Sequence, residues 1–517
     1  MSVKALMFQG TGSDVGKSLV VAGLCRVLAR RGLRVAPFKA QNMSNNAAVT
    51  NDGGEIGRAQ WLQALAANIE PSVHMNPVLL KPQSDRTSQV IVRGKVSATM
   101  GAQEYQKHRA ILLPTVLESY HHLAKTADII LVEGAGSPAE INLREGDIAN
   151  MGFARAANCP VILIGDIDRG GVIASVVGTH AVLPDADRAM IRGFLINKFR
   201  GDPALFSSGA HEIEQRTHWP YLGLIPHHPQ LAQLPAEDSF GLCHPALVAG
   251  SGSTHIVVLS CPHLANFDDL DPLNNEPGVT LTWLQAGEPI PADAKLVILP
   301  GSKSTIADLA FIRTQGWDID LKAHHRRGGR ILGICGGYQM LGKTLADPQG
   351  FDGPPATVEG LGLLDISTVF TGEKTVTPWQ GYFVPPPLGG RLGGGRYLAQ
   401  TVDIMPPPQP SPYRGGSIQI SGYEIHTGAS TGADCSHPLF EPKDGARSPD
   451  DLVWGTYIHG LFANDEFRSF VLLHLGAAPS SYRYNDHVQD ILNGWADILE
   501  KAISIEQILS LAMPLSA

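Results

Sequence analysis

The sequence predicts an α/β protein made of two parallel-sheet domains in tandem, and three observations predict it. Short apolar runs ending in glycine or acidic residues alternate with helix-like stretches through the first half, the pattern of buried parallel strands joined by helices. A glycine-rich loop stands between the first such run and the first helix. After a weak stretch rich in Pro, Gly, Ser and His, the alternation starts again and carries a strand, a sharp turn and a helix around Cys335. The 517 residues exceed what one core can hold, and 43% apolar content is that of an ordinary globular chain, so two or more domains are expected.

Taken in order, residues 5–8, 128–132, 160–164 and 193–196 read as strands of the first domain and 18–31 as a helix. The runs at 255–260, 295–300, 330–334 and 453–458 read as strands of the second. The expected boundaries are 1–230 for the first domain, 231–253 for a linker, 254–480 for the second domain and 481–517 for a helical tail. Within the second domain, 385–416 contains Pro385-Pro386-Pro387, Gly393-Gly394-Gly395 and Pro406-Pro407-Pro408. Such composition buries little surface, so it reads as an insertion outside the core.

Charge and cysteine usage exclude several classes. A net charge of −9 without a Lys/Arg block argues against nucleic-acid binding. Six cysteines without CxxC or Cys/His metal spacing point to reduced thiols, not a disulfide framework or zinc site. The N-terminus lacks signal-peptide features and no apolar run reaches membrane-spanning length, so a cytoplasmic protein without membrane association is expected.

The segment Gly10-Thr11-Gly12-Ser13-Asp14-Val15-Gly16-Lys17-Ser18 lies between a strand and a helix, the setting of a phosphate loop. Small residues at Thr11, Gly12 and Gly16 let backbone N–H groups face phosphate oxygens, Lys17 neutralises charge and Ser18 can hold magnesium. Glu133 ends the strand 128–132, where it serves either a second metal contact or a cap or ion pair. Asp147, after the Glu133 loop, reads as metal ligand or helix cap. Asp52, Glu55, Asp166 and Asp168 carry the same ambiguity between metal and turn. Asn197 ends another strand, placed to contact the nucleotide base or to shape a turn.

In the second domain, Gly333-Ile334-Cys335-Gly336-Gly337 forms the sharp turn, the pattern of a nucleophile carried between strand and helix, with Cys in place of Ser. The helix N-terminus favours the thiolate. His459, near the end of a late strand, is the expected proton shuttle, with His426 as its rival. Backbone N–H groups at Gly301, in Leu299-Pro300-Gly301-Ser302-Lys303, and at Gly336 are the expected oxyanion donors.

Together these motifs resemble the cobyric acid synthase family, amidotransferases of cobalamin biosynthesis. The resemblance spans nearly the whole chain, from a dethiobiotin synthetase-like ATPase half to a class I glutamine amidotransferase half. It rests on the phosphate loop, Pro37-Phe38-Lys39-Ala40-Gln41-Asn42-Met43-Ser44-Asn45, Val132-Glu133-Gly134-Ala135-Gly136, Asn197-Lys198-Phe199-Arg200-Gly201 and the cysteine turn. It implies ATP and Mg2+, a corrinoid and L-glutamine as substrates, and amidation of the b, d, e and g carboxylates of adenosylcobyrinic acid a,c-diamide. Acyl phosphate formation and a glutamyl thioester on Cys335 are the implied steps, and homo-oligomerisation is compatible with them. Two residues after the histidine, where wider amidotransferases commonly have glutamate, stands Leu461, so a Cys-His dyad is expected. The alternatives are the related a,c-diamide synthase and a P-loop switch ATPase, the latter having no use for a cysteine turn.

Overall fold

The computed structural model describes residues 3–83, 87–235, 254–383, 385, 417–478 and 480–515. Contacts divide the chain into two units, Met1–Asp238 with Asn485–Ala517, and Ser239–Tyr484. Most of the expected 231–253 linker and nearly all of the 385–416 insertion lie outside the described residues.

The first unit is built on a parallel sheet in the order Tyr221–Pro226, Ile191–Phe199, Val161–Asp166, Lys4–Gly10, Ile129–Glu133, Val35–Phe38. Apolar runs such as Leu6-Met7-Phe8 and Ile130-Leu131-Val132 are buried throughout, as expected where helices cover both faces. Lys4–Gly10 pairs in register with Val161–Asp166 on one side and Ile129–Glu133 on the other. Its carboxyl end is thus where the strand order changes direction, the place at which open α/β sheets hold ligands. The helix Lys17–Arg30 leaves from that end. A smaller sheet of Gln41–Met43, Val78–Pro82, Thr87–Val92 and Lys95–Gly101, absent from the sequence reading, follows in the chain.

The tail is helical, as expected, but it is not a separate element: Asn485–Ala517 completes the first unit. Trp495, 1% exposed, donates its indole N–H to the Leu19 carbonyl at 2.7 Å. Gly23 makes this docking possible, since a Cβ there would lie 2.5 Å from Trp495 and 2.4 Å from Leu499. Arg30 and Arg31 add ion pairs to Asp497, Glu500 and Glu506, though these are exposed and individually weak. Met513–Pro514 then pairs antiparallel with Lys4–Ala5. The signal for this docking was the small residue Gly23 on an otherwise bulky helix face; its partner, far along the chain, could not be inferred from it.

The second unit has a parallel sheet in the order Val279–Leu284, Thr254–Leu259, Leu296–Leu299, Arg330–Ile334, Val453–Thr456, with Ala446–Arg447 antiparallel at its edge. The expected strand 453–458 is broken. Val453–Thr456 stays in this sheet, while Ile458–His459 joins a second sheet against the long strand Ile418–Thr431. Thr456 Oγ1 accepts the Ile458 N–H at 3.0 Å, a local turn that competes with strand continuation. Ile418–Thr431 forms a ribbon with Ser367–Phe383, whose alternating burial places one face against the core. Among the described residues no helix is long and apolar enough to cross a membrane.

Truncation of the tail's anchor by Trp495→Ala is expected to destabilise the first unit by about 3–5 kcal/mol, the usual cost of deleting a buried tryptophan. Hydrogen exchange should show faster opening of Lys17–Arg30, with the Arg330–Ile334 strand unchanged.

Candidate functional site

Each unit places a cluster of reactive side chains at the carboxyl end of its sheet. In the first, the chain leaves Lys4–Gly10 through Asp14 and Gly16, both with left-handed φ (57° and 90°). Gly16 is required twice over: a Cβ there would also stand 2.3 Å from Asn197 Nδ2. Asn197 Nδ2 donates to the Val15 carbonyl at 2.8 Å, so this residue braces the phosphate loop from the neighbouring strand. Lys17 Nζ donates to the carbonyls of Gly12 and Gly136, each at 3.0 Å, which draws the loop after Glu133 over the phosphate loop.

Glu133, 1% exposed, is the centre of the cluster. Its Oε1 accepts Ser18 Oγ at 2.8 Å and Lys39 Nζ at 2.9 Å. Its Oε2 accepts Gln63 Nε2 at 2.6 Å and Gln60 Nε2 at 3.4 Å. A carboxylate removed from water needs such compensation. Gln60 and Gln63 lie on the helix Arg58–Ala66, and neither was singled out by the sequence. Their three-residue spacing puts both amides on one helix face, a pattern that carries no signal until their common partner is known.

Asp147 takes the other of its two readings. Its carboxylate accepts the N–H groups of Ala149 (2.8 Å), Asn150 (3.0 Å) and Gly152 (2.8 Å) at the start of the helix Met151–Ala156. With both oxygens engaged by main chain, it caps the helix, and the reading as metal ligand is corrected. Asp52 caps the turn at Val73 and bonds Ser72 Oγ at 2.7 Å. Glu55 forms a buried pair with Lys81 at 2.7 Å. Asp166 and Asp168 pair with Lys198 and Arg200. Among the described residues no three His, Cys, Asp or Glu side chains gather as a metal cluster.

In the second unit Cys335 has φ 53° and ψ −110° between Arg330–Ile334 and the helix Gly336–Leu341. Such a backbone costs on the order of 1–3 kcal/mol and persists because the surroundings impose it. A Cβ on Gly337 would meet the Leu299 carbonyl at 1.9 Å, and one on Gly333 would meet Gly337 at 2.7 Å. Cys335 N–H donates to the Thr456 carbonyl at 2.8 Å, fixing the turn to the strand that leads to His459. Burial pushes the Cys25, Cys159 and Cys261 thiols up, as for structural cysteines.

His459 is 1% exposed, and its Nδ1 is 2.6 Å from Asp269 Oδ2. Asp269 Oδ1 accepts the Gly460 N–H at 2.8 Å. Tyr423 stacks on the imidazole at 5.2 Å between centroids. Burial opposes a charged ring, but Asp269 and the Cys335 sulfur outweigh it and push the His459 pKa up to about 10. The expected Cys-His dyad is therefore extended by an acid that orients the ring, the general arrangement of a nucleophile, a base and an orienter. Sequence reasoning missed Asp269 because it lies in the 3-10 turn Phe267–Leu270, beside other acids and 190 positions from its partner. His426 is instead engaged by its own strand: Nε2 lies 3.3 Å from Glu424 and Nδ1 3.2 Å from the Gly428 carbonyl.

The oxyanion assignment shifts by one residue. Leu264–Ala265 pairs antiparallel with Gly301–Ser302, and Lys303 N–H donates to His263 O at 2.9 Å. Bonded and unbonded pairs alternate along such a ladder, so Gly301 faces Ala265 as a bonded pair and the Ser302 N–H points to the other side. That side is Gly336, whose Cβ position is 3.0 Å from Ser302 N. Ser302 thus replaces Gly301 as partner to the Gly336 N–H, a parity that follows only from the pairing register.

Comparison with known proteins agrees with this division. Residues 6–241 match the model of the CobQ/CobB/MinD/ParA nucleotide binding domain, and 255–467 that of the CobB/CobQ-like glutamine amidotransferase domain. The chain is 54% identical to a cobyric acid synthase of Methylorubrum populi, covering 99% of this chain and 100% of that one. It is 55% identical to those of Cereibacter sphaeroides and Paracoccus denitrificans, in each case over 98% of this chain and 99% of the relative.

Asp269→Asn is expected to lower glutamine hydrolysis on the order of 10²–10⁴-fold, the range of general acid–base catalysis. It should also change the pH dependence of stability. A ring whose pKa rises on folding stabilises the fold fully below its unfolded value, about 6.5, and the contribution fades as pH rises through about 10. Urea midpoints of the second unit should fall between these values in the native protein and flatten in the variant.

Proposed function

Since the chain belongs to the cobyric acid synthase family of glutamine-dependent amide-forming ligases, we propose that it converts the b, d, e and g carboxylates of adenosylcobyrinic acid a,c-diamide to amides at the expense of ATP. The observation that carries this reading is the pairing, in one chain, of a phosphate loop closed on Glu133 with a strained Cys335 whose histidine is oriented by Asp269. A switch ATPase would use the first and have no role for the second.

His459 begins the glutamine half as imidazolium, the state that Asp269 favours, and Cys335 attacks in the thiolate form that such nucleophiles require. The sulfur attacks the glutamine carboxamide carbon, and the Ser302 and Gly336 N–H groups receive the developing oxyanion. His459 gives its Nε2 proton to the departing nitrogen, so ammonia leaves and a glutamyl thioester remains on Cys335. Water, its proton taken by His459, then attacks the thioester carbon, releasing glutamate and restoring the Cys335 thiolate and the His459 imidazolium.

In the ATP half, a substrate carboxylate oxygen attacks the γ-phosphorus and ADP leaves, forming an acyl phosphate. Ammonia attacks the acyl carbon and phosphate departs, leaving the amide. Thr11, Gly12 and Gly16 shape the loop whose N–H groups receive phosphate oxygens, and Asn197 holds that loop from behind. Lys17 and Lys39 balance phosphate charge, Lys39 exchanging Glu133 for phosphate. Ser18 and Glu133 would hold Mg2+, which supplies charge neutralisation at the transferring phosphoryl group. The donor set fits: a hydroxyl and a carboxylate suit a hard cation that keeps several waters and leans on substrate phosphate. The wholly buried Gln63 Oε1 beside them has no hydrogen-bond partner among the described residues, which fits an added donor such as metal-bound water.

Mass spectrometry of corrinoid products tests the division of labour. The native protein with Mg·ATP and glutamine should add amides to the a,c-diamide until all target carboxylates are converted. Cys335→Ala should be inactive with glutamine and active with free ammonia. An unaltered corrinoid alongside intact ATP hydrolysis would refute the substrate assignment.

A further inference from the structure

Gln63 is fully buried and makes contacts with both candidate metal-holding residues. Its Nε2 donates to Glu133 Oε2 at 2.6 Å and to the Ser18 main-chain carbonyl at 3.2 Å. Its Oε1, 0% exposed at the residue level, accepts from nothing among the described residues. A buried amide oxygen left without a donor costs roughly 1–3 kcal/mol, so a position that keeps one beside a phosphate loop implies a donor that arrives with the ligand. Leucine or methionine would fill the same space on Arg58–Ala66 without that cost.

We propose that Gln63 is a positioning residue for the magnesium site, holding Glu133 with its amide N–H and taking a hydrogen bond from metal-bound water with its carbonyl. The proposal rests on the reading of Ser18 and Glu133 as the residues that hold Mg2+. The amide's two ends differ in kind, so one side chain can satisfy an anion on one side and a donor on the other. Outer partners of this sort orient the groups that touch the metal and set its affinity. Gln60, one turn earlier, extends the link: its Oε1 accepts Asn42 Nδ2 at 3.0 Å. The helix Arg58–Ala66 therefore connects Glu133 to the buried Asn42 of Gln41–Met43.

Isothermal titration of ADP into the full-length protein, with chelator and then across a Mg2+ series, tests this without relying on turnover. In Gln63→Met the Mg2+ concentration giving half-maximal enhancement of ADP affinity should rise on the order of 10–100-fold, while metal-free ADP affinity stays within about twofold. Gln63→Asn, which retracts the amide from Glu133, should shift the same way, and Gln60→Met should shift less. Wild-type Mg2+ dependence in either folded Gln63 variant overturns the proposal and leaves the metal reading standing. Loss of metal-free ADP binding in both would make Gln63 a packing residue and overturn it too. ADP affinity indifferent to Mg2+ in the native protein would instead refute the metal reading itself.

Discussion

At two places a buried parallel strand must pass into a helix within a few residues, with no room at the turn for a side chain. Gly16 is squeezed against Asn197 and Gly337 against the Leu299 carbonyl, and both turns use left-handed backbone, at Asp14 and Gly16 in one unit and at Cys335 in the other. The crowding has a chemical result. It leaves helix N-terminal N–H groups unpaired by the helix and facing the end of the sheet, where an anion is stabilised. In the proposed reaction that anion is phosphate in the first unit, and in the second a thiolate and then an oxyanion. Asn197 braces the first turn through the Val15 carbonyl, and Thr456 ties the second through the Cys335 N–H.

This constraint also governs what could be read from the sequence. The phosphate loop and the cysteine turn were legible because the turn, its glycines and its reactive side chain are neighbours in the chain. His459 was legible as a histidine at the end of an apolar run, although that run divides between two sheets at Thr456 and Tyr457. Asp269 was not, since its role exists only once two distant segments meet, and nothing distinguishes it locally from Asp268 or Asp271. Ser302 was missed by a single position, because strand parity decides which N–H is turned toward Gly336. Asp147 shows the converse: an acid near a glycine is equally well explained by a helix start, and here the main chain claims both of its oxygens.

The tail teaches a related lesson about domain boundaries. A helix at the far end of the chain reads naturally as an appendage, but the apolar face of Lys17–Arg30 needs a cover, and Trp495 and Leu499 supply it over Gly23. The docking takes hold one residue past Ser18. The helix that presents the phosphate loop is thus held along its body by a segment 476 positions away in the chain, and the first unit is built from two stretches separated by the whole of the second.

Charge balance distinguishes the two sites further. At Cys335 the balance is internal: Asp269 and the sulfur outweigh burial and bias the His459 ring toward its protonated form. At Glu133 it is open. Lys39 pairs with the buried Glu133 carboxylate, while Lys17 is held by the Gly12 and Gly136 carbonyls at the same end of the sheet. In the proposed reaction the nucleotide's phosphates bring negative charge to both lysines and a divalent cation offsets it at Glu133. On that reading the site takes a ligand that brings both signs of charge, which is why the proposed function assigns it Mg·ATP rather than either component alone.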